Sequence, residues 1–135
     1  DAAIAAALEV EPGQSVALIQ RLSTAADVPI CLSYGYFPLY QFPELLSDTS
    51  LARLKHTGSI SRWLHEQYGC DHIRRETTVS ARLVSAPQAQ LLSLPLNQPI
   101  LRVESINVAE HRQVIEYGVT QFRGDCMELV FQNQL

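Results

Sequence analysis

The chain carries two copies of one pattern, and this duplication limits the folds open to it. One copy runs Leu8-Glu9-Val10-Glu11-Pro12-Gly13-Gln14-Ser15-Val16 into a first alternating stretch, a polar turn and a second alternating stretch. The other runs Leu92-Ser93-Leu94-Pro95-Leu96-Asn97-Gln98-Pro99-Ile100 into the same succession. Gly13-Gln14 falls on Asn97-Gln98, and Val16 on Ile100, at an offset of 84. Past the turn, Ser33-Tyr34-Gly35 falls on Glu116-Tyr117-Gly118 at an offset of 83, which suggests a hairpin turn one residue shorter in the second copy. Each unit reads as a short helix, a tight turn and a β-hairpin. Two copies are too few to stack as a solenoid, so the expectation is one sheet with approximate two-fold internal symmetry. The competing explanation is that any two helix-turn-hairpin units share such features.

Asp1 caps the first helix, with Ile4 and Leu8 one turn apart. Strands follow at 14–24 and 29–38, joined across Ala25-Ala26-Asp27. Between the units, 48–56 reads as a short helix with Leu51 and Leu54 on one face. Ser59 caps another, with Ile60, Trp63, Leu64 and Tyr68 at helical spacing and Gly69 as its stop. A strand over 73–83 comes next, then a helix from the Ser85 cap through Leu92, strands at 99–109 and 113–123, and a final strand at 127–132. Strands dominate and hairpins link most of them, so the fold class is α+β with a largely antiparallel sheet and flanking helices. The Ser59 helix is expected to lie across the mouth of a cavity on that sheet.

A chain of 135 residues suits one domain, spanning 1–135, with a substantial core. No apolar run approaches the ~20 residues that span a bilayer, and residues 1–11 hold three acids and no base, unlike a signal peptide. The expectation is a cytoplasmic protein without a membrane partner. Cys31, Cys70 and Cys126, odd in number and far apart, read as free thiols, with Cys31 and Cys126 packing as small hydrophobes. A net charge of −4 argues against this chain gripping a nucleic-acid backbone itself.

Arg21 alternates in register with Ala17, Ile19 and Ser23, and Arg75 with Ile73, Thr77, Val79 and Ala81. A guanidinium on such a face needs an anion, because an unpaired buried charge is costly. That anion is either a ligand or a carboxylate of the chain, unless the side chain reaches the rim. Ser59, after Gly58, opens a helix whose free amides and dipole suit an anion; plain capping is the alternative. Glu116 shares a strand face with Val114, Gly118, Thr120 and Phe122 and can accept hydrogen bonds from a ligand or pair with an arginine; Ser33 holds the matching place in the first copy. No phosphate loop, GxSxG or HExxH occurs. His56, His65, His72 and His111 read as solvated surface residues, and no metal or cofactor is implied.

Arg21, the Pro29 turn, Phe37-Pro38, Phe42-Pro43, Ser59-Ile60-Ser61 and Glu116-Tyr117 with Phe122-Arg123-Gly124-Asp125 resemble, in order and spacing, the UTRA effector domain of HutC-subfamily, GntR-type transcription regulators. Within that family the sequence is most similar to regulators of phosphonate-utilisation operons. The resemblance implies a fold similar to chorismate lyase, with an internal duplication. It also implies an effector-sensing domain of a repressor: not an enzyme, binding a small anion, pairing as a homodimer, and reaching operator DNA through a winged-helix domain that precedes this chain. A lyase on the same fold is the alternative. Family positions that hold a sugar phosphate map here to Arg21 and Ser59 for the phosphate and Glu116 for the polar body. Ser23, Ser61, Ser33 and Phe122 stand where sugar-binding members have arginine, tyrosine, glutamate and tyrosine. The anion-facing elements are partly kept and the sugar-facing ones mostly replaced, which implies an effector with a smaller or less hydroxylated body. The family's first strand, ahead of the first helix, has no counterpart here. Arg21, Ser59 and Arg75 are expected to converge on one oxyanion.

Overall fold

A computed structural model describes residues 1–133. The chain runs α1 (Ala2–Leu8), β1 (Val16–Ala25), β2 (Val28–Pro38), α2 (Asp48–Thr57), α3 (Ile60–Tyr68), β3 (Ile73–Leu83), α4 (Ala86–Leu92), β4 (Pro99–Val108) and β5 (Val114–Arg123), ending in a 3-10 turn over Gly124–Cys126. All strands pair antiparallel in a single sheet of order β1-β2-β5-β4-β3.

The duplication is visible residue by residue. The N-caps of α1 and α4 are Asp1 and Ser85, and their C-caps, Glu9 and Ser93, both adopt left-handed φ, at 57° and 56°. Where the two hairpins meet, Gly35 of β2 faces Gly118 of β5. These two glycines are 83 residues apart, so each is the other's mate and the internal two-fold axis passes between them.

The first hairpin closes on Ala26 and Asp27, both with positive φ (49° and 64°), the backbone that matches strand twist in a two-residue turn. The second closes over residues 109–113, with Arg112 in the left-handed region and the Ala109 amide on the Gln113 carbonyl. The second turn is therefore longer, against expectation. The residue missing from the second copy comes out of the paired strands instead.

Helices cover both faces. On one, α1 brings Leu8 to Val108 and Val114, while α4 brings Ala89 and Leu92 to Leu32 and Ile100. The helix of each copy thus packs on a strand of the other, α1 on β5 and α4 on β2, which locks the halves together. On the other face, α2 and α3 bury Leu54, Trp63 and Leu64 against Ala17, Phe37, Ala109 and Ile115. Side chains at i and i+3 or i+4 make that apolar stripe. The Trp63 indole donates to the Ser50 carbonyl at 2.8 Å, and the Ser50 hydroxyl to Gln67 at 2.8 Å, fixing α2 to α3. Gly58 and Gly69 end these two helices in left-handed backbone.

Residues 127–133 form no strand. Arg123, the last residue of β5, is held by both oxygens of Asp125 at 3.1 and 2.8 Å, and the 3-10 turn there carries the chain off the sheet. Cys126 is exposed, so only Cys31 has the half-buried setting expected of both; all three thiols are free. No described helix is long and apolar enough to cross a membrane.

Candidate functional site

α2 and α3 cover only one end of their sheet face. Beside them the face opens into a cavity of about 160 Å³, centred on the Gly35–Gly118 pair. Strand alternation supplies its walls: Ile19 and Arg21 from β1, Ser33 and Gly35 from β2, Glu116, Gly118 and Thr120 from β5, Ser105 and Asn107 from β4, and Arg74 from β3. His72, on the loop before β3, and Ile60, at the start of α3, close the rim. The N-terminus of α3 borders the cavity, while the body of the helix packs beside it over the core.

Glu116 is 6% exposed. Its Oε1 lies 2.5 Å from His72 Nε2 and accepts from Asn107 Nδ2 at 3.0 Å. The Asn107 carbonyl oxygen accepts from Arg74 Nε at 3.0 Å, and its amide also donates to Ser105 Oγ at 3.3 Å. Carboxylate, carboxamide and guanidinium thus form a connected chain that runs from the buried Glu116 and Asn107 to the exposed Arg74, and the buried hydrogen bonds hold the first two in place. The second carboxylate oxygen turns to the glycine pair. A Cβ on Gly35 would stand 2.8 Å from Glu116 Oε2, and a Cβ on Gly118 would stand 2.8 Å from Ser105 Oγ. The absence of side chains at the axis makes room for the acid. Oε2 accepts no hydrogen bond from the described residues.

Across the cavity, Arg21 Nη2 donates to the Gly58 carbonyl at 2.8 Å, which brings its guanidinium to the start of α3. Neither Arg21 nor Arg74 has a carboxylate within 4 Å among the described residues. The result is a small polar chamber with two cations on opposite walls and one carboxylate on the floor.

The expected residues fall out unevenly. Arg21, Ser33 and Glu116 line the chamber. Ser59 is next to it, but its hydroxyl accepts from the Arg62 amide at 3.2 Å, the capping arrangement. Ser23 and Ser61 are exposed, away from the lining; Phe122 is half-buried on the same sheet face beyond Thr120, paired with Cys31 and Leu101. Arg75 does not join Arg21. A β-bulge between Arg74 and Glu76 gives Arg75 no partner in β4 and turns it to the other face, where it pairs with Glu9 at 3.3 Å. The same bulge points Arg74 inward, so the sequence places a cation here one residue off. A second bulge, beside Val108, leaves Val114 on the α1 face and not with Glu116. His72 is the main omission: its side chain is 14% exposed and paired with Glu116, not solvated. Its proximity to an edge strand gave the only hint, because alternation rules do not reach into a loop.

The chain matches the UTRA domain over residues 1–128. It is 30% identical over 131 residues to the "Probable transcriptional regulator PhnF" of Escherichia coli K12, an alignment that takes in 96% of this chain and 52% of that protein. The chain therefore spans about half the length of this curated relative. Among solved structures, a PhnF C-terminal domain superposes with a TM-score of 0.84 at 30% identity, covering 98% of this chain and 80% of that one. The effector domain of PhnF from Mycobacterium smegmatis gives 0.88 at 22% identity over 100% and 80%, a likeness of fold. A family match across nearly the whole chain, and a fold shared with a PhnF C-terminal domain at 30% identity, carry one conclusion: the chain belongs to the UTRA domain family.

Proposed function

We propose that this domain is the effector-binding part of a GntR-family transcriptional regulator and that it senses a small anion, of the phosphonate or phosphate class, in the Gly35–Gly118 chamber. The observation that carries this reading is the pair of guanidiniums, Arg21 and Arg74, facing one cavity without a carboxylate partner among the described residues. Charges so placed favour an anionic guest, since charge-assisted hydrogen bonds are the strong ones. The Ile60 amide at the start of α3 adds a donor, and Oε2 of Glu116 offers an acceptor to an amine or hydroxyl on the guest. The small volume favours a short molecule over a sugar phosphate. In the intact regulator the domain pairs with a second copy, and operator DNA is bound by a separate N-terminal domain.

A thermal-shift screen of phosphonates, phosphate esters and carboxylates tests the reading, because a ligand of the folded state raises the melting temperature. Stabilisation by phosphonates or phosphate esters supports it; stabilisation by carboxylates or neutral compounds alone contradicts it. The His72–Glu116 pair also has the form of a general acid–base couple, which favours a second reading, a lyase on the same fold. Turnover of chorismate-like substrates would establish that reading in place of sensing.

A further inference from the structure

The two poles of the chamber differ in their charge balance. At the Arg21 pole there is a guanidinium and a helix start, both electropositive. At the other pole one carboxylate, Glu116, is shared between His72 and a possible guest: Oε1 faces the imidazole and Asn107, and Oε2 faces the cavity. The charged and titratable groups around the His72 ring are Glu116 from β5, Arg74 from β3, Arg21 across the cavity from β1, and its neighbour Asp71 on the loop; β2 and β4 contribute the neutral Ser33 and Asn107, and the Tyr34 side chain turns to α4 on the other face of the sheet. Imidazole is the side chain whose charge ordinarily changes between about pH 5 and 8.

A guest ammonium at Oε2 and an imidazolium at Oε1 would place two cations on one carboxylate, with Arg74 behind it. A guest hydroxyl at Oε2 brings no charge and leaves the imidazolium undisturbed. We propose that His72 couples the choice between these two classes of effector to its own proton: an ammonium-bearing anion binds with loss of the His72 proton to solvent, and a hydroxyl-bearing anion binds with that proton kept. His72 acts through Glu116, as a positioning residue. The inference rests on the anion-sensing reading above and adds the chemistry of the guest's second group.

The test compares 2-aminoethylphosphonate, 2-hydroxyethylphosphonate and methylphosphonate by calorimetry, in buffers of different ionisation enthalpy from pH 5.5 to 8, on the wild type and His72→Gln. Methylphosphonate reads the anion pole alone, and a cooperative thermal melt shows that His72→Gln is folded. For the amino compound, the wild type should release up to one proton more than His72→Gln at the acid end of that range. Its affinity should then rise by up to tenfold per pH unit beyond the rise seen in the variant. For the hydroxyl compound the proton counts of the two proteins should agree. The ring nitrogen signals of His72 in the wild type read the same event: an imidazolium should become neutral on adding the amino compound only. Binding of methylphosphonate with equal proton counts for the amino compound in both proteins overturns the role of His72 and leaves the anion site standing. Failure of all three phosphonates to bind overturns both.

Discussion

Replacing Gly35 by alanine tests whether the bare centre of the sheet is a requirement of the site. The new Cβ would lie 2.8 Å from Glu116 Oε2 and 3.0 Å from Phe37 Cε2. Carbon atoms pack at about 3.5–4.0 Å, so one neighbour or both must move. Phe37 is fully buried and contacts Phe42 and Trp63 edge to face, with ring centroids 6.4 and 6.2 Å away, so it cannot yield cheaply. Glu116 can move only by breaking its bonds to His72 and Asn107. Overpacking of this kind costs about 1–3 kcal/mol, offset by about 0.4–1 kcal/mol from the stiffer unfolded chain. A net loss of about 1–2 kcal/mol lowers the melting temperature by roughly 3–10 °C in a domain of this size. Thermal melts followed by circular dichroism measure this, and calorimetry should show a donor-bearing phosphonate losing more affinity than methylphosphonate. Gly13→Ala is the contrast, since Gly13 has φ +92° and open space around its Cβ position, so it feels backbone strain alone and leaves binding intact. A Gly35→Ala protein that melts at or above the wild-type temperature and binds normally would refute the reasoning.

Arg21→Ala and Arg74→Ala should each weaken an anionic effector by at least about tenfold, from charge-assisted bonds of roughly 1.5–3 kcal/mol, whereas Arg75→Ala, on the far face, should leave affinity within about twofold; equal effects of Arg74 and Arg75 would contradict the bulge assignment. Ser59→Ala should cost less affinity than Arg21→Ala, because the backbone donors remain, but it should lower stability by about 1 kcal/mol through the lost cap; chemical denaturation separates the two. On the α1 face, the Tyr117 hydroxyl, donating to Glu104 at 2.6 Å, holds that carboxyl below its ordinary range, with Arg102 helping. A carboxyl depressed in the folded state contributes stability above its unfolded value, and this is lost as pH falls through the lower folded value. Stability should therefore drop on acidification below about pH 4.5, and Tyr117→Phe should flatten that drop; an identical acid limb in both proteins would count against the pair.

The repeat was legible because it is written in residue spacing: the offset of 83 that matches Ser33-Tyr34-Gly35 to Glu116-Tyr117-Gly118 is also the spacing of the glycines facing each other on the axis. Helices with a Ser or Asp cap and a Gly stop, such as α3, could be bounded closely, since both ends are specified by local backbone chemistry. What failed were inferences carried through a bulge or out of a strand. Strict alternation puts Arg75 inward, and one extra residue in β3 reverses that and substitutes Arg74. The extra residue before Glu116 does the same to Val114. His72 and Asn107 join the site through contacts across 44 and 9 residues with Glu116, which no local pattern encodes. The expected strand at 127–132 does not form: the 3-10 turn over Gly124–Cys126 leads the chain off the sheet, and residues beyond it, including Phe131 at 80% exposed, pair with neither edge strand.

The central claim is that an oxyanion sits in the chamber between the two hairpins, and a crystal structure of the domain with methylphosphonate measures it most directly. The account predicts the phosphonate oxygens within about 3.2 Å of the Arg21 guanidinium, beside the Ile60 amide and on the same sheet face as Arg74 and Glu116. A phosphonate bound on the α1–α4 face of the sheet, or bound by Arg75 with the Gly35–Gly118 chamber left to solvent, would contradict it.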